Sequence, residues 1–278
     1  MDEENSNKKK KSLKKEMSFW DHLEELRWHL IRIFIVVIGL GVLAFLMKDI
    51  IFDVIILGPK DADFLTYKVL CKISDYLSMP ALCMDKLSVE IRNFTMSGQF
   101  LTHMYVSIVA GIIVAVPYIL WELWRFINPA LTSKEQKYSG GAVIVSSLLF
   151  LTGVLFSYYI IVPLTINFLG TYQVSDDVPS FIGLNSYIKT VVSVTFSVGI
   201  VFELPVLVFF LTKIGILTPD FMKKNRKIVF VLILVLSAII TPPDVFSQIL
   251  VCIPLIGLYE LSIYISRRVY MKRIQEEK

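Results

Sequence analysis

Long apolar runs separated by short charged stretches limit what this chain can become. Crossing the roughly 30 Å hydrocarbon core of a bilayer takes about 20 apolar residues in a helix. Lipid offers no partner to backbone N–H and C=O groups, so such segments must be helices or strands of closed barrels. The runs here lack strict alternation, which selects helices. Six qualify as spans: about 30–47, 101–120, 142–162, 188–211, 228–240 and 249–265. With 55% hydrophobic residues over 278 positions, the chain carries more apolar surface than one soluble core absorbs. The expected fold class is all-α, a polytopic integral membrane protein.

The fifth run is the shortest, at 13 residues, and by length alone suits a re-entrant segment as well as a crossing. Charge argues for a crossing. If all six runs span, the two tails and the even loops carry 20 Lys and Arg, against six on the other side, all in the loop 48–97. The positive-inside rule then puts both termini in the cytoplasm. Residues 1–17 read as a disordered cytoplasmic tail without the apolar core of a signal peptide, 18–268 as the membrane domain, and 269–278 as a second cytoplasmic tail. Residues 18–30, with Phe19, Leu23, Leu26 and Leu30 on one face, predict an amphipathic segment along the interface before the first span. The outer loop 48–97 predicts short amphipathic helices.

Ionisable groups inside spans are functional candidates because burying them is unfavourable. Glu203 is the clearest, with Pro205 two residues on predicting a kink; a structural hydrogen bond to a neighbouring helix is its alternative role. Glu260 interrupts the sixth run together with Pro254, near enough to the inner end to reach headgroups. In Thr241-Pro242-Pro243-Asp244 the prolines stop the fifth span and Asp244 can cap the sixth. Glu24, Glu25, Glu122 and Glu135 place carboxylates on the lysine-rich side, where they suit a cationic ligand, arginine above all. Cys71 and Cys83 share the outer loop and can pair in an oxidising compartment or remain free thiols. No metal spacing, phosphate loop or hydrolase motif is present, and nothing points to nucleic acid, a cofactor or an enzyme.

In chain order these motifs resemble the TatC family, the signal-recognising core subunit of twin-arginine protein translocases. The likeness rests on His22-Leu23-Glu24-Glu25-Leu26-Arg27 and on Phe126-Ile127-Asn128-Pro129-Ala130-Leu131 with Glu135. Further along it rests on Gly153, Phe156, Tyr158, Pro163 and Phe168-Leu169, on Phe202-Glu203-Leu204-Pro205-Val206, and on Thr241-Pro242-Pro243-Asp244-Val245-Phe246-Ser247-Gln248. His29 and Gln136 stand where the family often has basic residues. The resemblance implies a concave, glove-like arrangement of six helices in a bacterial inner membrane. It implies that Glu25 and Glu135, with Leu26, Arg27, Phe126 and Pro129, bind the paired arginines of a signal peptide. It also implies that Glu203, Pro205 and Glu260 face partner helices and that Pro243, Asp244 and Gln248 form the last outer turn. The implied partners are signal peptides of folded precursors, single-span subunits of the TatA/TatB type, further copies of the chain and the bilayer. The implied energy source is the proton-motive force.

A proton-coupled small-solute transporter using Glu203 is the rival reading. It calls for an inverted repeat and several midplane polar groups, and the sequence has neither.

Overall fold

The computed structural model describes residues 19–61, 63–77, 83, 90–127, 139–173, 175, 181–241 and 245–277. Within them nearly all secondary structure is helical. Helix α1 is Phe19–Leu46, followed by a π-helical segment, Ile50–Ile56, and a 3-10 turn, Gly58–Lys60. Helix α2 is Leu65–Leu77, α3 is Gly98–Ile127, α4 is Ser139–Phe156 and α5 is Val162–Thr171. Helices α6 (Leu184–Val201), α7 (Leu204–Lys213), α8 (Pro219–Lys224), α9 (Arg226–Ile240) and α10 (Val245–Glu277) complete the order. Two short strands, β1 (Ile91–Arg92) and β2 (Ile182–Gly183), pair in parallel with Ile91 opposite Ile182.

Five segments are long and apolar enough to cross a membrane: His22–Leu46, Gly98–Ile127, Gly141–Thr171, Leu184–Lys213 and Val245–Gln275. Helix α9, with 15 residues, rises only about 22 Å at 1.5 Å per residue.

Several boundaries differ from the sequence reading for local reasons. The amphipathic segment and the first run form one unbroken helix, α1, because no Gly, Pro or cap interrupts Phe19–Leu46 before Gly39. The third run continues past Phe156 through a π-helical turn, Ser157–Ile161, into α5, with Pro163 in the first turn of α5, where its missing N–H does no harm. Pro254 and Glu260 do not interrupt the last helix. Helix α10 runs through both for 33 residues, about 50 Å, so residues 269–277 are helical and the sixth span is not short. Ahead of Pro205 the helix is disturbed, as the proline predicts, by one tighter turn in which Phe202 and Glu203 keep right-handed helical backbone angles. Glu203 N reaches back to Ile200 O and Val206 N to Glu203 O, turning the ladder at Phe202–Glu203 before Pro205 opens α7.

Packing centres on α6, whose Ile188, Val194 and Val198 are fully buried together with Ile161, Val162, Val251 and Leu255. Helices α1 and α3 meet closely at two glycines. A Cβ built on Gly111 would lie 2.6 Å from the Gly41 backbone N, nearer than any side chain tolerates, the close backbone approach that small residues permit between membrane helices. We expect Gly111→Val to separate α1 from α3 and destabilise the fold by about 1–3 kcal/mol, the usual effect of overpacking. Gly39→Val, which meets nothing within 4 Å, is the control. Thermal unfolding in detergent, followed by size-exclusion, compares the two.

Candidate functional site

The chemistry gathers where the first turns of α1 meet the last turns of α3. His22, Glu25 and His29 recur at helical spacing on one face of α1. His22 stacks on Phe126 with ring centroids 4.4 Å apart, and His29 meets the same ring edge-on at 5.8 Å. The apolar run of α3 thus ends in an aromatic residue held between two imidazoles.

One turn back on α3, Glu122 is wholly buried. Arg32 Nη1 donates to its Oε1 at 3.2 Å, His29 Nδ1 lies 3.2 Å from the same oxygen, and Arg125 Nη1 approaches Oε2 at 3.9 Å. A carboxylate this deep persists only when paired. Arg32 and Arg125 both keep part of their surface exposed, so the cluster connects a buried anion to a cationic rim. His29 occupies the core of the cluster, and Arg32, one turn further on, supplies the permanent charge.

Glu25 differs from its neighbours. It is half-buried, and its Oε2 is buried without a hydrogen-bond partner among the described residues. Glu24, by contrast, is exposed and bound to Arg27 at 3.1 Å. Leu26 and Arg27 line an open apolar groove of about 380 Å³ with Leu23, Leu30, Ile31 and Phe34. The site therefore offers an unsatisfied carboxylate oxygen on the side of α1 that carries His22 and His29, while the apolar track runs along the other side of the same helix. The carboxylate suits a guanidinium. Pro129 and Glu135 lie outside the described residues.

The other sequence candidates engage separate partners. Glu203, between α6 and α7, accepts a hydrogen bond from Ser146 of α4 through Oε2, while its Oε1 is buried with no hydrogen-bond partner among the described residues. Pro205 is buried beside it in sequence. Glu260 on α10 accepts from Arg226 Nη2, at the start of α9, at 2.7 Å, and Tyr259 donates to the Met222 carbonyl. Gln248 donates to the Leu234 carbonyl at 3.1 Å and ties α10 to α9, whereas Pro243 and Asp244 lie outside the described residues. Cys71 and Cys83 are joined by a disulfide. Among the described residues, no group of three or more His, Cys, Asp or Glu side chains is placed to hold a metal ion.

Sequence reasoning passed over Arg32 and undervalued Glu122. The signal was present: Arg32 is a lone cation two residues into the first run, and Glu122 a lone anion just past the second. Antiparallel packing of those helices brings them together.

The model of the family described as Sec-independent protein translocase protein (TatC) matches residues 21–254. The chain is 40% identical over 265 residues to a Sec-independent protein translocase protein TatC of Blattabacterium, covering 95% of this chain and all of that protein. It is 37% identical over 202 residues to the TatCy protein of Bacillus subtilis, covering 71% of this chain and 80% of that one. A crystal structure of the twin-arginine translocase receptor TatC superposes with a TM-score of 0.68 at 31% identity, covering 89% of this chain and 99% of the other. A second such structure, in detergent, gives a TM-score of 0.71 at 32% identity, covering 87% and 98%.

Proposed function

The chain belongs to the TatC family of Sec-independent protein translocase proteins, and from that premise we propose that it binds twin-arginine signal peptides of folded precursors at its α1–α3 end. The carrying observation is Glu25 Oε2, buried and unbonded among the described residues. An arginine guanidinium would satisfy it, and an apolar segment that follows would have to pass around α1 to reach the groove along Leu26, Arg27 and Phe34. Phe126 holds the floor of this site through its contacts with His22 and His29. Pro129 and Glu135 would complete it, Glu135 supplying a carboxylate for the second arginine.

Six crossings with both termini cytoplasmic account best for the charge distribution, α9 being a short fifth crossing. This orientation puts Glu25 and Phe126 on the cytoplasmic side of a bacterial inner membrane, where precursors fold. In this reading the membrane domain is 18–268, and 1–17 is a cytoplasmic tail. Glu203 and Pro205, at a polar break within the fourth span, are docking points for single-span subunits of the TatA/TatB type. Glu260, held by Arg226, orients α9 against α10 nearby. Pro243, Asp244 and Gln248 set the outer turn between them. Copies of the chain assemble into a receptor, and the proton-motive force drives transport.

Glu203→Ala is expected to weaken photo-cross-linking to a single-span partner several-fold while leaving signal-peptide cross-links intact. Cross-links from position 203 that reach only lipid contradict the docking role. The overall function is tested by expressing the chain with its single-span partners in a strain lacking its own twin-arginine translocase. Export of a folded twin-arginine reporter is expected, and export lost when the paired arginines become lysines ties it to signal recognition.

A further inference from the structure

Helix α2 presents two faces to two different surroundings. Tyr67 and Ser74, seven residues apart, are buried on one side. The Tyr67 hydroxyl lies 2.9 Å from the Pro59 carbonyl and 3.0 Å from the Pro163 carbonyl, and Thr66 donates to the Tyr159 carbonyl. Burial pushes the Tyr67 phenol well above its usual range, so it stays a donor. The disulfide between Cys71 and Cys83 adds a covalent anchor on the same helix. Together these contacts fix the rotation of α2 about its axis.

The opposite side is apolar and exposed, with no described residue covering it. Leu65, Val69, Ile73 and Tyr76 recur at intervals of four, four and three, and are 58%, 45%, 43% and 89% exposed. At 100° per residue they fall within a narrow arc. Lys68 and Lys72 run along one flank of that arc, both exposed, with Lys68 Nζ paired to Asp63 Oδ1 at 3.2 Å.

Depth identifies what covers the stripe. Tyr159 and Pro163, which receive the anchors of α2, lie on the third membrane-crossing segment, Gly141–Thr171. They stand about 26 Å and 32 Å along the helix from Ala142, at 1.5 Å per residue, and so straddle the far boundary of a hydrocarbon core about 30 Å thick. Phe64, Tyr158 and Tyr159 cluster at that level, with Phe64 stacked on Tyr159 at 5.6 Å, the kind of aromatic belt found at membrane interfaces. Tyr159 and Ile160, on the outward surface of the same segment, are themselves partly exposed, so the stripe on α2 continues a lipid-facing surface.

We propose that α2 is an interfacial helix whose Leu65, Val69, Ile73 and Tyr76 stripe lies in the headgroup and upper acyl region of the leaflet opposite the Glu25 site. Lys72 extends from its flank to the phosphates, and Lys68 exchanges its exposed partner Asp63 for them, as basic residues of interfacial helices do. The inference requires that the chain spans a membrane and is independent of which side is cytoplasmic.

The test places a photoreactive benzoylphenylalanine at position 69, 73 or 75 of the full chain in native membranes. Positions 69 and 73 should yield adducts with the mass of a phospholipid, several-fold above the Asp75 position. Adducts to a second copy of the chain or to another protein at position 73 overturn the proposal, as does equal lipid labelling at all three positions. If the photoreactive variants fail to accumulate, Ile73→Trp is compared with the parent chain in vesicles of phospholipid brominated near the headgroup. Quenched, blue-shifted extra emission is expected, and unquenched emission typical of exposed tryptophan overturns the proposal.

Discussion

Lysine in place of Glu25 or Glu135 should abolish export of a folded twin-arginine reporter while the chain still inserts and accumulates. Glu25 offers a buried oxygen with no described partner, so a guanidinium that reaches it replaces an unsatisfied acceptor by a charge-assisted pair. Hydrogen bonds to charged groups contribute about 1.5–3 kcal/mol, roughly one to two orders of magnitude in affinity. Reversal removes that and adds repulsion, so Glu25→Lys should lower signal binding more than Glu25→Gln does. Folding should suffer little, because Glu25 makes no ion pair among the described residues that a lysine breaks. Glu135→Lys tests the second half of the site by the same logic. Normal export in both charge-reversed variants would remove the signal-site assignment. Export lost together with the protein itself would point to a structural role.

The second large effect concerns Glu122. Glu122→Ala leaves His29 buried and Arg32 and Arg125 without their shared carboxylate. Breaking one side of a buried ion pair typically costs about 3–5 kcal/mol, and the partial exposure of both arginines puts the expectation at the lower end, about 3 kcal/mol. The melting temperature in detergent should fall markedly. Glu122→Gln, which keeps the shape and one acceptor, should fall less. In the double variant Arg32→Ala with Glu122→Ala, the losses should be smaller than their sum, the mark of a shared interaction. Additive losses would show that the two groups are not coupled. This cluster sets the register of α1 on α3 and therefore the position of Glu25 relative to Phe126, so its loss should weaken signal binding as well.

The helical, membrane-crossing character of the chain was legible because apolar runs of that length have few physical outcomes. Where helices begin and end was less so. Residues 18–30 carry enough charge to read as a separate interfacial segment, yet nothing in them terminates a helix, and α1 runs through. Pro254 looked like an interruption, but a long helix packed on its neighbours carries one proline without ending. At Phe202–Glu203 the effect of a proline is larger: Pro205 has no N–H to give, and one tighter turn separates α6 from α7 within a single membrane-length segment. At the site, the spacing of His22, Glu25 and His29 puts all three on one helix face, and the Phe126 motif was visible in the sequence. Their meeting across α1 and α3 was not, because it depends on antiparallel packing through Gly41 and Gly111. The pairing of Arg32 with Glu122 was hidden for the same reason. Hydropathy grades each run alone, whereas ion pairing inside a membrane is a property of two runs together.

The claim on which the account turns is that the α1–α3 end holds the paired arginines of a signal peptide. It is tested most directly by placing a photoreactive residue at Leu26, in membranes containing the chain and its single-span partners, with a radiolabelled twin-arginine precursor. A cross-link from position 26 to the precursor's signal peptide is expected, lost when the paired arginines are changed to lysines or when Glu25 is changed to lysine. A cross-link unaffected by both changes, or none from position 26 while other surfaces of the chain capture the precursor, contradicts it.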